Sequence, residues 1–253
     1  TLSGSSAASD VYKRQLYNRE VWLMSEHIVS SYDEQLDLIN STLIKMGGLV
    51  ETQLHNSLVA LGDKDTAFAE EILRDDNKID ALEKEIDALT YKVIAMRQPL
   101  ANDLRTVLSA LSIANDLERM GDHATNIAKR VANVKINMPD TPVSEIVNMG
   151  ENVQRMIKNV LDAFVQKSDT LAINAWDLDG DIDELYLSIY RDLLKTMAED
   201  PDTITGCSHL LSIAKNIERI GDYVQNIAED IHFITTGQAL ERKSEKRIKW
   251  EKV

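Results

Sequence analysis

Apolar residues recur every three to four positions along most of this chain, the spacing of helices that bury one face. Ile113, Leu117, Met120, Ile127 and Val131 form one such stripe, and Ile213, Ile217, Ile220 and Ile227 form another. A third runs through Ile79, Leu82, Ile86 and Leu89. The stripes stop at residues that end or start helices. Gly62-Asp63 closes the first helical run, with Asp63 or Asp65 available as a cap. Pro99 and Pro201 sit where a new helix can begin, because a proline in the first turn forfeits no hydrogen bond. The pattern predicts helices over 28–61, 65–96 and 100–136, then over 142–167, 169–198 and 203–236, with Pro139 and Pro142 between the two sets. Long helices with short connections imply antiparallel bundles. The expected fold class is therefore all-α, with two tandem three-helix bundles at 24–137 and 142–237.

The two sets are copies of one unit. Residues 111–128 read LSIANDLERMGDHATNIA and residues 211–228 read LSIAKNIERIGDYVQNIA, identical at 11 of 18 positions. Asp76-Asn77-Lys78-Ile79-Asp80 matches Asp179-Gly180-Asp181-Ile182-Asp183, and Met46-Gly47 matches Met149-Gly150. The landmarks keep their order in each half, which makes the bundles pseudo-symmetric repeats.

Composition narrows the picture. Aromatic residues are 5% of the chain, so the core must be aliphatic. The net charge of −14 argues against a general electrostatic grip on nucleic acid or anionic lipid and favours cations or basic protein patches as partners. The single cysteine, Cys207, excludes an intramolecular disulfide and fits a reducing compartment, which points to the cytoplasm. No run approaches the roughly 18 apolar residues of a membrane span, so direct membrane insertion is not expected. Residues 1–23 begin with a Ser/Ala/Gly-rich run and lack the apolar core of a secretory signal. They read as a non-native or disordered extension, with Met24 as the natural start. Residues 238–253 form a charged tail.

The candidate chemistry lies in carboxylate columns. Glu118 and Asp122 are four residues apart and share a helix face directed away from the apolar stripe, and Glu218 and Asp222 repeat the arrangement. On the middle helix Asp76, Asp80, Glu83 and Asp87 form a second column; its counterpart keeps Asp179 and Asp183 but continues with Tyr186 and Tyr190. An acidic pair at this spacing is commonly just a solvated face. Recurrence in both halves, and glycines at 121 and 221 that cost roughly 1 kcal/mol each in a helix, favour close approach of a backbone or a bound ion. Oxygen donors with little nitrogen suit hard cations. A ferritin-type di-iron centre needs paired Glu-x-x-His motifs, and only Glu229-x-x-His232 has that form. His123 is replaced by Tyr223 in the second copy and reads as a bystander. Asp116 and Asn216 fall near the apolar stripe and read as buried contacts between helices, and Arg119 and Arg219 as salt-bridge partners of neighbouring helices, with phosphate binding as the sharper alternative. No phosphate loop, nucleophile–base pair or Cys/His cluster is present, so catalysis is not expected.

The duplicated Glu-Arg-(Met/Ile)-Gly-Asp followed by Asn-Ile-Ala, together with Arg97-Gln98-Pro99 and Asp103-Leu104-Arg105, resembles the PhoU family of bacterial phosphate-uptake regulators. The likeness covers roughly residues 24–238. It implies two symmetry-related three-helix bundles, assembly as a homodimer, and multinuclear metal clusters at the acidic motifs, with iron in some members and Mg, Mn, Ca or Zn as other candidates. Carried onto this chain, the implied metal ligands are Glu118, Asp122, Glu218 and Asp222 first, and Asp76, Asp80, Asp179 and Asp183 next. Tyr186 and Tyr190 leave a second cluster with fewer acids. The implied role is negative regulation of phosphate uptake and phosphate-starvation signalling. The chain would act as a metal-binding adaptor between the phosphate ABC transporter, through its ATPase subunit, and a sensor histidine kinase, peripheral to the inner face of the membrane. The alternatives are a metal-storage or metal-sensing helical protein, or an accessory to a non-ABC phosphate carrier.

Overall fold

The computed structural model describes residues 5–73, 77–133 and 138–240, with side chains described from Tyr32 onward. The described residues contain α-helices, one short 3-10 turn and no strand. The first half comprises α1 (Ser5–Gly62), α2 (Thr66–Ile72), α3 (Asn77–Arg97) and α4 (Asn102–Asn133). The second comprises α5 (Asp140–Gln166), α6 (Asp169–Asp177), α7 (Asp179–Glu199), a 3-10 turn at Pro201–Thr203, and α8 (Ile204–Thr236). The all-α duplicated architecture thus follows the apolar pattern, and the predicted stripes are buried: Ile113, Leu117, Met120, Ile127 and Val131 on α4 and their equivalents on α8 are core residues.

Several boundaries differ from the predicted ones. α1 starts at Ser5 instead of near residue 28, since no glycine or proline between Ser5 and His27 interrupts it. Each middle helix is divided. The second half breaks at Leu178, inside the run Asp177-Leu178-Asp179-Gly180-Asp181, where short acidic side chains and a glycine weaken helix continuation. In the first half α2 ends at Ile72 and α3 starts at Asn77. The left-handed residue after α1 is Lys64 (φ 55°), not Gly62, and Asp65 then caps α2 by accepting from Phe68 N at 2.9 Å. Pro99 lies in the loop before α4, between left-handed Gln98 and Ala101, both at φ 49°. The expected end of the third helix at 136 and the charged tail from Glu241 lie outside the described residues.

The helices of each half pack into a bundle, and the two bundles share a core. α1, α4, α8 and α5 form an inner layer in which α4 lies on α8 and α1 on α5, so one core spans both copies. α2 and α3 cover α1 and α4, and α6 and α7 cover α5 and α8 in the same manner. The α1–α5 contact is reciprocal. Leu161 of α5 fills the space at Gly47 of α1, where an added Cβ would lie 2.5 Å from Leu161 Cδ2. Leu58 of α1 fills the equivalent space at Gly150 of α5. The paired Met-Gly landmarks therefore mark where the two repeats interlock.

Candidate functional site

In the first half the two carboxylate columns meet where α3 packs on α4. Ile79, Leu82 and Ile86 turn into the core and leave Asp80, Glu83 and Asp87 half-buried at the helix margin. Ile113, Leu117 and Met120 do the same on α4, leaving Glu118 half-buried and Asp122 exposed. Burial pushes the Glu118 carboxyl up, and the charges of Asp122, Glu83 and Asp80 push it further; Arg119 opposes them. Glu83 is raised by burial first and then by Asp87 and Asp80, with Lys84 and Arg119 opposing. This face thus concentrates negative charge, the condition under which carboxylates take up cations or protons.

The equivalent face between α7 and α8 has the same geometry and a different balance. Lys215 reaches Glu218 at 2.6 Å and lies 5.2 Å from the Tyr186 ring centre, and Arg219 pairs with Asp222 at 3.2 Å. Glu218 is still raised, by burial first, but the Lys215 hydrogen bond now opposes. Tyr186 and Tyr190 occupy the positions of Glu83 and Asp87, with ring centres 6.3 Å apart. Asp183 is half-buried on α7, and Asp179 is buried against Gly221, where a Cβ would lie 3.3 Å from its Oδ1. The structure therefore brings Asp80, Glu118 and Asp122 onto one charged face and ion-pairs Glu218 and Asp222 on the other, with Asp179 packed beside Gly221. Asp76 lies outside the described residues.

The mid-helix glycines make room for protein atoms. Gly121 is covered by Ile79, whose Cδ1 would be 2.8 Å from an added Cβ, and Gly221 by Asp179 and Ile182. Both allow the covering helix to approach, which is the backbone-approach reading of these residues. Among the described residues no three His, Cys, Asp or Glu side chains are set as ready ligands. The donor set of the first face, carboxylate oxygens without thiolate or imidazole, matches a hard cation in chemistry, and holding one requires those side chains to turn inward together.

Other candidates have structural occupations. His123 leaves the acidic face and bridges α4 to α8, with Nδ1 2.8 Å from Asn216 Oδ1 and its ring stacked on Tyr223 at 5.7 Å. Asp116 is 7% exposed and hydrogen-bonds Asn226, as its place near the apolar stripe predicts. Arg219 pairs within its own helix instead of with a neighbour, and Arg119 hydrogen-bonds Tyr223 of α8. Glu229 accepts from Trp176 Nε1 at 3.1 Å and His232 pairs with Asp169 at 2.5 Å, so both tie α8 to α6 and do not form a di-iron motif. The reading of the acidic columns missed Lys215, although a lysine three residues before Glu218 is a recognisable helical ion pair.

The comparisons with known proteins agree with the duplicated geometry. The family model described as PhoU domain matches residues 43–131 and again 146–231, one match per repeat. This chain belongs to the PhoU family. Phosphate-specific transport system accessory protein PhoU homologs from Caulobacter vibrioides and Zymomonas mobilis are each 42% identical to it. The first aligns over 86% of this chain and 95% of its own length, the second over 85% and 90%. The crystal structure of PhoU from Pseudomonas aeruginosa superposes with a TM-score of 0.78 at 33% identity, covering 82% of this PhoU-family chain and all of that one. That of the phosphate transport system regulatory protein PhoU from Streptococcus pneumoniae gives 0.78 at 29%, covering 83% and all of that chain. Among the described residues no helix of this family member is long and apolar enough to cross a membrane.

Proposed function

We propose that this protein is a negative regulator of phosphate uptake and of phosphate-starvation signalling, a metal-binding adaptor with no catalytic step of its own. The observation that carries the reading is the alignment of both repeats, nearly end to end, with relatives named as accessory proteins of the phosphate-specific transport system. In this reading it docks as a homodimer on the cytoplasmic side of the phosphate ABC transporter, at the ATPase subunit, and on a sensor histidine kinase. It then holds both in their phosphate-replete state.

The acidic face supplies the adaptor with a metal-dependent element. A hard cation, iron among the candidates, would be held by Asp80, Glu118 and Asp122, with Glu83 beside them and Asp76 as a further donor. It would neutralise their mutual repulsion and fasten α3 to α4. Asp179, Asp183, Glu218 and Asp222 form the second set, where Lys215 and Arg219 already supply part of the positive charge. That self-neutralised second face disfavours metal storage as the main role.

Deletion of the gene tests the regulatory reading. Alkaline phosphatase expression and phosphate uptake should rise in phosphate-rich medium and return to normal when the gene is restored. Unchanged expression and uptake would reject the regulator.

A further inference from the structure

The contact between α4 and α8 contains two cavities of equal volume, about 380 Å³ each, at positions related by the internal duplication. One is lined by Ser112, Asp116, Asn226, Glu229 and Asp230, beside Phe233 and the start of the tail. The other is lined by Asn126, Lys129, Arg130, Asn133, His209 and Asn216. Most of the two linings correspond through the duplication: Asn226 to Asn126, Glu229 to Lys129, Asp230 to Arg130, Phe233 to Asn133, and Asp116 to Asn216, whereas Ser112 and His209 each line one cavity only. Every acid of the first cavity is thus a base or an amide in the second.

A helix end alone does not explain the basic lining. Cations near the C-terminus of α4 would complement its dipole. The same argument would place cations in the last turns of α8, which carries Glu229 and Asp230 instead. The basic cavity stands out in a chain of net charge −14, and no carboxylate lines it. His209 Nδ1, in the same lining, is shielded from solvent and has no hydrogen-bond partner. The Asn216 amide already donates to Ser212 O at 2.7 Å and its Oδ1 faces His123, so Lys129, Arg130 and Asn126 are the groups that face a ligand, with the His209 ring in the wall.

From this geometry we infer that the Lys129–Arg130 cavity binds a phosphate-class oxyanion, either inorganic phosphate or a small phosphomonoester. Two adjacent cations match a dianion, whereas a monocarboxylate would leave one unmatched. The Arg130 guanidinium offers a planar fork of donors and the Lys129 ammonium a point charge, the pairing that suits tetrahedral phosphate oxygens. The volume falls in the range of small-ligand sites and exceeds what a bare phosphate needs, which leaves space for water or an ester group. No Phe, Tyr or Trp lines the cavity, so it offers no platform for a nucleotide base. The inference does not rest on the adaptor reading.

Calorimetric titration of the full chain with inorganic phosphate, and separately with a hexose phosphate, tests it. Saturable binding of either ligand is expected. It should weaken roughly tenfold or more in Lys129→Gln/Arg130→Gln. It should stay within about twofold in Lys45→Gln/Lys158→Gln, which removes the same charge from exposed positions of α1 and α5. Binding of inorganic phosphate alone identifies the free ion as the ligand, and binding of both identifies the phosphoryl group. No binding of either ligand, or equal weakening in both double variants, overturns the inference. A protein that binds neither would still regulate phosphate uptake if the adaptor reading holds, so the two failures are distinguishable. Unfolding midpoints of both double variants within a few degrees of the parent would show that the fold is intact.

Discussion

Asp116 lies 7% exposed on α4, and burial first, then the charge of Asp230, pushes its carboxyl from 3.8 up to about 6. Asp230 is itself raised, chiefly by burial, although Ser112 and Ser109 hydrogen-bond it. A carboxyl whose folded pKa exceeds its unfolded value holds its proton longer in the native state. Stability therefore falls as pH rises from about 4 to about 6 and levels off above that window. Replacing Asp116→Asn keeps the shape and removes the charge. Urea unfolding should then show the variant more stable than the parent near neutral pH by roughly 1–2 kcal/mol, with no gain at about pH 4. An equal effect at both pH values would mean that the carboxylate charge is not the cause. The sequence placed Asp116 near the apolar stripe, but its partner Asp230 is 114 residues away on another helix. Periodicity reports which face a residue occupies and is silent about what the facing helix brings there.

Between elements, the interlock of Gly47 with Leu161 and of Gly150 with Leu58 joins α1 to α5. Gly150→Val should destabilise the protein by about 1–3 kcal/mol, because the added carbons overlap Leu58 and core overpacking is costly. Leu58→Ala opens that space, so the Gly150→Val/Leu58→Ala double variant should lose less than the sum of the single losses. Additive losses in thermal unfolding would contradict the interlock. The Met-Gly landmarks were visible as repeated sequence; that they mark the joint between repeats was not, since a glycine in a helix names no partner. The divided middle helices were equally hidden. Asp177 to Asp181 looks continuous by periodicity, and the break at Leu178 comes from short polar residues and a glycine acting together. Gly237, in contrast, was readable as a helix stop and occupies the left-handed cap position of α8 at φ 74°.

Across the whole molecule, the duplication preserves the packing and lets the surfaces diverge. α4 and α8 bury their apolar residues at equivalent positions, yet Lys215 stands where the first copy has Asn115, and Tyr186 where it has Glu83. The fold was legible because the buried stripes repeat, and the acidic faces were legible as columns. Part of their inequality was legible too, because Lys215 stands three residues before Glu218 on the same helix where the first copy has Asn115; the burial that raises Glu118 and Glu218 was not, because it depends on the helices packed against them. The first-half face is the proposed metal-holding element of this PhoU-family chain. Metal content per chain, by elemental mass spectrometry on protein purified from its native host, addresses that claim most directly. Glu118→Gln/Asp122→Asn should lose most of the bound metal and its thermal stabilisation, while Glu218→Gln/Asp222→Asn should lose the smaller share. A parent chain without metal, or a greater loss from the second pair than from the first, would contradict it.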